Sequence, residues 1–132
     1  RVLSRLARKS QLAVGSALQK YNLTAAEEPF LMAVLNHDGF SQEELTAFVG
    51  VDKAVTARAV RSLEEKGYLI RQQDPRDKRQ NRVYPTDKAR EIGPLVRREL
   101  YRINLTLTEG FTQEENDQVY ALLARIDENF IP

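Results

Sequence analysis

The chain has no cysteine, a single histidine and a formal net charge of only +1 over 132 residues. Without thiols it can form no disulfide, no thiolate metal site and no thiol-oxidation switch. That fits a reducing cytosol, and a cytoplasmic protein is expected. The lone His37 has no second imidazole or thiol to share a metal, so no metal and no cofactor are expected, and a structural or solvent-facing role is the ordinary reading. The near-zero net charge makes no case by itself for nucleic acid or membrane. No apolar run approaches the roughly 18 residues of a membrane span, and no signal-peptide pattern is visible. There is no Ser-His-Asp or Cys-His set and no phosphate-binding glycine loop. Glu114 and Glu115 are adjacent carboxylates, but neighbours on a helix do not face each other. An enzyme is therefore not expected. The chain opens on Arg1 rather than methionine, so the natural N-terminus is expected to lie upstream.

What is present is an ordinary globular composition, 42% hydrophobic and 30% charged, enough for one domain with a core of its own. Apolar residues at helical spacing predict a helix over residues 2–20, interrupted at Asn22. Three capping boxes follow, Thr24 to Glu27, Ser41 to Glu44 and Thr112 to Glu115, each predicting a helix start. Pro29 falls early in the helix after Thr24, whose first turn is expected to be irregular. Asp38-Gly39 should stop that helix. The helix from Ser41 is short, with Leu45 and Phe48 expected inward and Gly50 as its end. Asp52 caps the next helix, which runs to about Lys66 and stops at Gly67. Residues 41–66 thus outline a helix-turn-helix. Tyr68–Arg71 and Arg82–Tyr84 read as two strands of a hairpin. Thr86 caps a long helix in which Gly93-Pro94 predicts a kink or break. Gly110 separates it from a last helix.

The helix from Asp52 carries the most information. At 100° per residue, Thr56, Ala59, Val60 and Leu63 share one quarter-turn, the width of a buried stripe. Ala54, Arg58, Arg61 and Glu65 gather opposite, with Lys53 in the first turn. Lys53, Ala54, Ala57 and Arg58 make its exposed start small and basic, as a helix entering the DNA major groove requires. Charge is also unevenly placed. Residues 53–82 hold nine basic and four acidic side chains, a net +5, which leaves −4 for the other 102 residues. One basic module on a near-neutral chain is the electrostatic footprint of a DNA binder. Two readings stay open at this point, because charged helix faces are usually solvated and helix-turn-helix outlines also occur in protein-binding domains. The loop DPRDKR, Asp74 to Arg79, is either a solvated turn or a probe for negative charge.

The stretch DKAVTARAVRSLEEKGYLIRQQDPRDKRQNRVYPTDKA, residues 52–89, resembles the MarR (multiple antibiotic resistance regulator) family of transcription factors. A recognition helix ends in Leu-Glu-x-Lys-Gly, and a strand leads to an Asp-x-x-Asp-x-Arg wing. Pro85 and Ala89 depart from the family's Leu-Thr-x-x-Gly entry into the long helix that follows. The resemblance implies a mostly α protein with a small β-hairpin wing. Its winged helix-turn-helix lobe would span residues 24–85, with dimerisation helices at 1–20 and 86–132. It implies a bacterial regulator, more often a repressor, that binds a double-stranded operator as a homodimer. Arg58 and Arg61 would lie on the recognition helix. Arg79 would enter the minor groove, and Asp77 would orient an arginine. Arg76 and Lys78 are phosphate contacts or solvated flanks. Ser41 and Gln42 are phosphate contacts or ordinary caps. A small amphipathic or aromatic effector would bind near helices one, two and five, with Arg8, Gln11, Phe30 and His37 as candidate lining. Two rival readings are a PadR-like regulator and a winged-helix module that binds protein.

Overall fold

A computed structural model describes residues 1–130. Its order is α1 (Val2–Leu18), a 3-10 turn (Gln19–Tyr21), α2 (Glu28–Asn36), β1 (Phe40–Ser41), α3 (Gln42–Val49), α4 (Lys53–Glu65), β2 (Leu69–Gln73), β3 (Asn81–Pro85), α5 (Asp87–Leu107) and α6 (Gln113–Asn129). Two compact units divide at Leu100. The first holds everything from α1 to most of α5. The second holds the end of α5 and α6.

The first unit is built on one hydrophobic core. Leu18, Phe30, Leu31, Val34, Leu45, Val60, Leu63, Leu69, Val83 and Val96 are all essentially inaccessible to solvent. The expected stripe of α4 is the buried face: Thr56, Ala59, Val60 and Leu63. Thr56, the polar member of that stripe, shares a 2.7 Å hydrogen bond with the Thr46 hydroxyl of α3, which ties the two helices of the motif together. Ser41 and Thr112 form complete capping boxes with Glu44 and Glu115. The Thr24–Glu27 box also forms, but α2 begins only at Glu28, with Pro29 in its first turn. The irregular start is as expected.

The sheet has three antiparallel strands in the order β1-β3-β2. Its two-residue β1, paired Phe40 to Val83, is too short to leave a pattern of alternation. Phe48 was expected inward and is instead exposed, packing edge-on to His37 at 5.2 Å. The buried row of α3 runs through Leu45 toward the half-buried Val49. Phe48 lies about 60° off that row. The long helix is unbroken through Gly93-Pro94. Pro94 lacks the amide that would bond the Arg90 carbonyl, and both residues are exposed. Gly93 is buried, and a Cβ there would stand 3.1 Å from Leu35, so the glycine lets α5 approach α2.

The passage from α4 to β2 takes one left-handed residue, Gly67, at φ 83°. The Tyr68 amide donates back to the Leu63 carbonyl (2.9 Å) and the Gly67 amide to Glu64, closing the helix end. Lys88 donates to the Lys66 carbonyl at 2.7 Å, and Thr86 to the Gly67 carbonyl at 2.7 Å. The lysine also places a cation at the negative end of the helix dipole.

Glu27 is one of two buried acids of this unit, the other being Asp74. One Glu27 carboxylate oxygen accepts from the Lys66 ammonium (2.7 Å) and the Thr24 amide (2.9 Å), and the other accepts from the Ser62 hydroxyl. Burial pushes its pKa up, but Lys66, Ser62 and Thr24 outweigh that and hold it below the ordinary 4.5. The network binds the carboxylate form, so its contribution is full above that ordinary value. It is lost as pH falls through the lower folded value. Glu27→Gln should cost about 2 kcal/mol at neutral pH and flatten the loss of stability on acidification below about pH 4.5. Urea unfolding of both proteins across pH 3–7 checks this, and parallel acid limbs would contradict it.

Candidate nucleic-acid interface

The recognition surface begins with the cap of α4. An Asp52 carboxylate oxygen accepts the Val55 amide at 2.9 Å, fixing the first turn from which Lys53 and Ala54 face solvent. Arg58 and Arg61 are exposed further along, and Ala57 is half-buried. Small side chains at 54 and 57 leave room for close approach, while the arginines are long enough to reach base edges.

Eight of the nine basic residues of the module divide into two groups that their sequence positions did not distinguish. Lys66 is committed to Glu27, Arg71 to Glu64 at 2.7 Å, and Arg82 to Asp74 at 3.1 Å and Glu44 at 3.4 Å. Lys53, Arg58, Arg61, Arg76 and Lys78 are exposed and make no ion pair among the described residues. Arg79 stands apart, with its side chain 95% exposed although it lies 3.6 Å from Asp77.

The wing is a shaped loop. The Asp74 side chain is buried, and one of its oxygens accepts the Arg76 amide at 2.9 Å. The Asp74 amide donates to the Gln80 carbonyl, and the Gln80 amide to the Asp77 carbonyl. Asp77 accepts the Arg79 amide at 3.0 Å and lies 3.6 Å from the Arg79 guanidinium. The expected aspartate–arginine pairing is therefore present, and DPRDKR is an ordered turn. Hydrogen bonds from Arg76 and Arg82 hold the Asp74 carboxyl below its ordinary range despite the opposing effect of burial.

Ser41 is almost fully buried and engaged in its capping box. The Gln42 side-chain oxygen accepts from Arg71 at 3.3 Å. Ser41, Gln42 and Glu43 form one side of a hollow of about 120 Å³, and Arg79, Gln80 and Asn81 form the other. The structure thus brings the α3 start and the wing together. Sequence reasoning did not single out Gln80 or Asn81, nor Arg71 and Arg82, whose partners Gln42, Gly39 and Glu44 are distant in the chain.

The expected effector lining is not assembled in the same way. Phe30 is 2% exposed and belongs to the core, which corrects its assignment to a ligand surface. A large ring on the inward face of α2 is needed to fill that core. Arg8 lines an open hollow with Arg1, Ser4 and Arg5, and Gln11 faces solvent. His37 is exposed and stacks on Phe40 with ring centroids 4.6 Å apart. Among the described residues no group of acidic and histidine side chains could hold a metal. No helix is long and apolar enough to cross a membrane.

Two short helices joined by a tight glycine turn, the second presenting a basic face, followed by a basic hairpin, define a winged helix-turn-helix protein. The family model described as MarR family matches residues 21–80. An HTH-type transcriptional regulator of Bacillus subtilis (strain 168), YybA, described as uncharacterized, is 32% identical over 108 residues, 82% of this chain and 72% of that one. A MarR transcriptional regulator from Methanosarcina mazei Go1 superposes with a TM-score of 0.91 at 30% identity, covering 97% of this chain and 92% of that one. A putative MarR family regulator from Listeria monocytogenes, solved in complex with a 26mer DNA, gives 0.92 at 26% identity over 98% and 86% of the two chains. The chain belongs to the MarR family, a family of transcriptional regulators and not of enzymes.

The cap that starts α4 should be measurable on its own. Asp52→Ala should lower stability by about 1 kcal/mol and speed amide exchange at Val55. Denaturant unfolding and hydrogen exchange read the two effects, and unchanged exchange at Val55 would show that the helix start does not depend on its cap.

Proposed function

We propose that this regulator acts in the cytoplasm as a homodimeric repressor on a pseudo-palindromic DNA operator. The observation that carries the reading is the wing. Arg79 projects almost wholly into solvent from a loop that two aspartates hold in shape, in the same lobe as the exposed basic start of α4. An exposed arginine on an ordered loop suits insertion into a narrow minor groove, whose enhanced negative potential attracts it. The Listeria relative solved with a 26mer DNA supports duplex DNA as the partner.

The dimer reading rests on apolar surface. Val2, Leu3, Leu6 and Leu12 of α1 are exposed, as are Tyr120, Leu122, Leu123 and Ile126 of α6. Surface of that kind on two helices is the mark of a protein–protein interface, and a closed two-fold dimer is the commonest solution. Two recognition helices would then meet successive major grooves about 34 Å apart. A small amphipathic or aromatic effector would act by shifting the population between two spacings of the lobes.

Selection of bound duplexes from a random pool tests the reading. A palindromic consensus is expected, and no enrichment would favour a protein-binding winged helix instead. On the selected duplex, Arg79→Ala should cost about 1–3 kcal/mol of binding while sedimentation shows the same dimer. Wild-type affinity for that variant would remove the wing from the interface. Arg58→Ala should lose about 1–3 kcal/mol of discrimination and less of its affinity for unrelated DNA. A uniform loss on all duplexes would mean that Arg58 touches only phosphate.

A further inference from the structure

We infer that Arg82 is a positioning residue for DNA binding, a latch that locks the root of the wing to the start of α3 and so holds Arg79 at a set place in the recognition surface. The inference rests on the DNA-binding reading above. It concerns a residue that looks, by charge alone, like one more DNA contact.

The geometry assigns Arg82 inward. Its Nε donates to one Asp74 carboxylate oxygen at 3.1 Å. Its NH1 donates to the Gly39 carbonyl at 2.7 Å and approaches a Glu44 carboxylate oxygen at 3.4 Å. One planar guanidinium therefore joins three separate pieces of chain. Asp74 belongs to the wing loop and lies 8 residues away, Glu44 lies 38 away, and Gly39 lies 43 away. Two carboxylates within reach neutralise it, so it adds little to the positive field that DNA meets.

Each partner has a second task that Arg82 links to the others. The other Asp74 oxygen accepts the Arg76 amide and shapes the wing. The same Glu44 oxygen accepts the Ser41 amide at 3.2 Å and closes the capping box of α3. Gly39 sits at φ 84° and donates its own amide to the Val83 carbonyl at 3.1 Å, joining the turn before β1 to β3. The pairing of β1 with β3 already brings the α3 start beside the root of the wing, and one side chain with a fixed fork geometry ties the wing loop itself, through Asp74, to that junction. A lysine keeps the charge but is a point donor without that fork.

The test uses the full chain and the duplex selected by the wild-type protein. Arg82→Lys, Asp74→Asn and the double variant are compared by fluorescence anisotropy across a salt series, with thermal melting and amide exchange on the free proteins. Arg82→Lys should lose affinity about tenfold, and its salt slope should fall by about one because a wing contact is lost. Its formal charge is unchanged, so simple electrostatics predicts neither effect. Asp74→Asn should also weaken binding although it removes a negative charge from the DNA side. The double variant should lie within about threefold of either single one, as coupled partners do. Wild-type affinity in Arg82→Lys, tighter binding in Asp74→Asn, or multiplying losses would each overturn the latch. In the free protein, the Asp74 and Gln80 amides should exchange about tenfold faster in Arg82→Lys than in wild type, and unchanged exchange overturns the latch whatever the DNA result. If the wild-type chain selects no duplex, the DNA-binding reading fails by itself, and the exchange measurement still decides the latch.

Discussion

The buried carboxylate of Glu27 is the constraint on which the first unit depends. It is placed in the core layer between the end of the α1 region and the C-terminal end of α4. It survives there as an ion only because Thr24, Ser62 and Lys66 all donate to it. A buried charge without such partners would be driven to neutralise. The same residue is the reciprocal half of the Thr24 capping box, so the start of α2 and the end of the recognition helix share one acceptor. Tyr68 reinforces this junction, donating its buried hydroxyl to the Tyr21 carbonyl. The orientation of α4 is thereby referred to the segment that follows α1. Apolar packing alone would leave that orientation less sharply defined.

A second principle governs the charged surface. Basic residues in this module differ in whether an acid of the chain engages them. Lys66, Arg71 and Arg82 spend their donors on acidic partners within the chain, whereas Lys53, Arg58, Arg61, Arg76 and Lys78 keep theirs for solvent or a partner. A count of charges along the sequence gives the field at long range, where pairing matters less. It overstates the number of side chains able to touch DNA. The acids within the module are not incidental dilution: Asp74 and Asp77 give the wing its shape, and Glu64 restrains Arg71.

The fold was legible wherever the physics is local. Capping boxes at Ser41 and Thr112 join residues three apart, and the stripe of Thr56, Ala59, Val60 and Leu63 is a matter of helical period. Both can be read from a few consecutive letters, as can Gly50 and Gly67, whose left-handed turns punctuate the motif. The rest depends on partners distant in sequence. Nothing near Arg82 announces Gly39 or Glu44. The strand β1 exists only because β3 pairs with it. Phe48 is apolar and so was expected inside, but its place on α3 sets it beside His37 and Phe40. Gly93-Pro94 carries the signature of a break, and the packing of Leu35 against Gly93 gives the glycine another purpose. Of the site, the resemblance set Asp77 beside an arginine without saying which, and Arg79 is the one that lies 3.6 Å from it. The partition of basic residues into paired and free was not legible.

The short passage around Gly67 has a mechanical meaning. With its amide and carbonyl both engaged and Lys88 clamped over the helix end, α4 and β2 have almost no hinge between them. The hairpin then behaves as a rigid arm on the recognition helix. Five residues of strand make an arm of about 17 Å, so a tilt of α4 by about 10° would carry the wing tip through about 3 Å, the length of a hydrogen bond. The core is close-packed and tolerates little more than such small rotations. The wing amplifies a rotation of that size into the making or breaking of a contact at its tip.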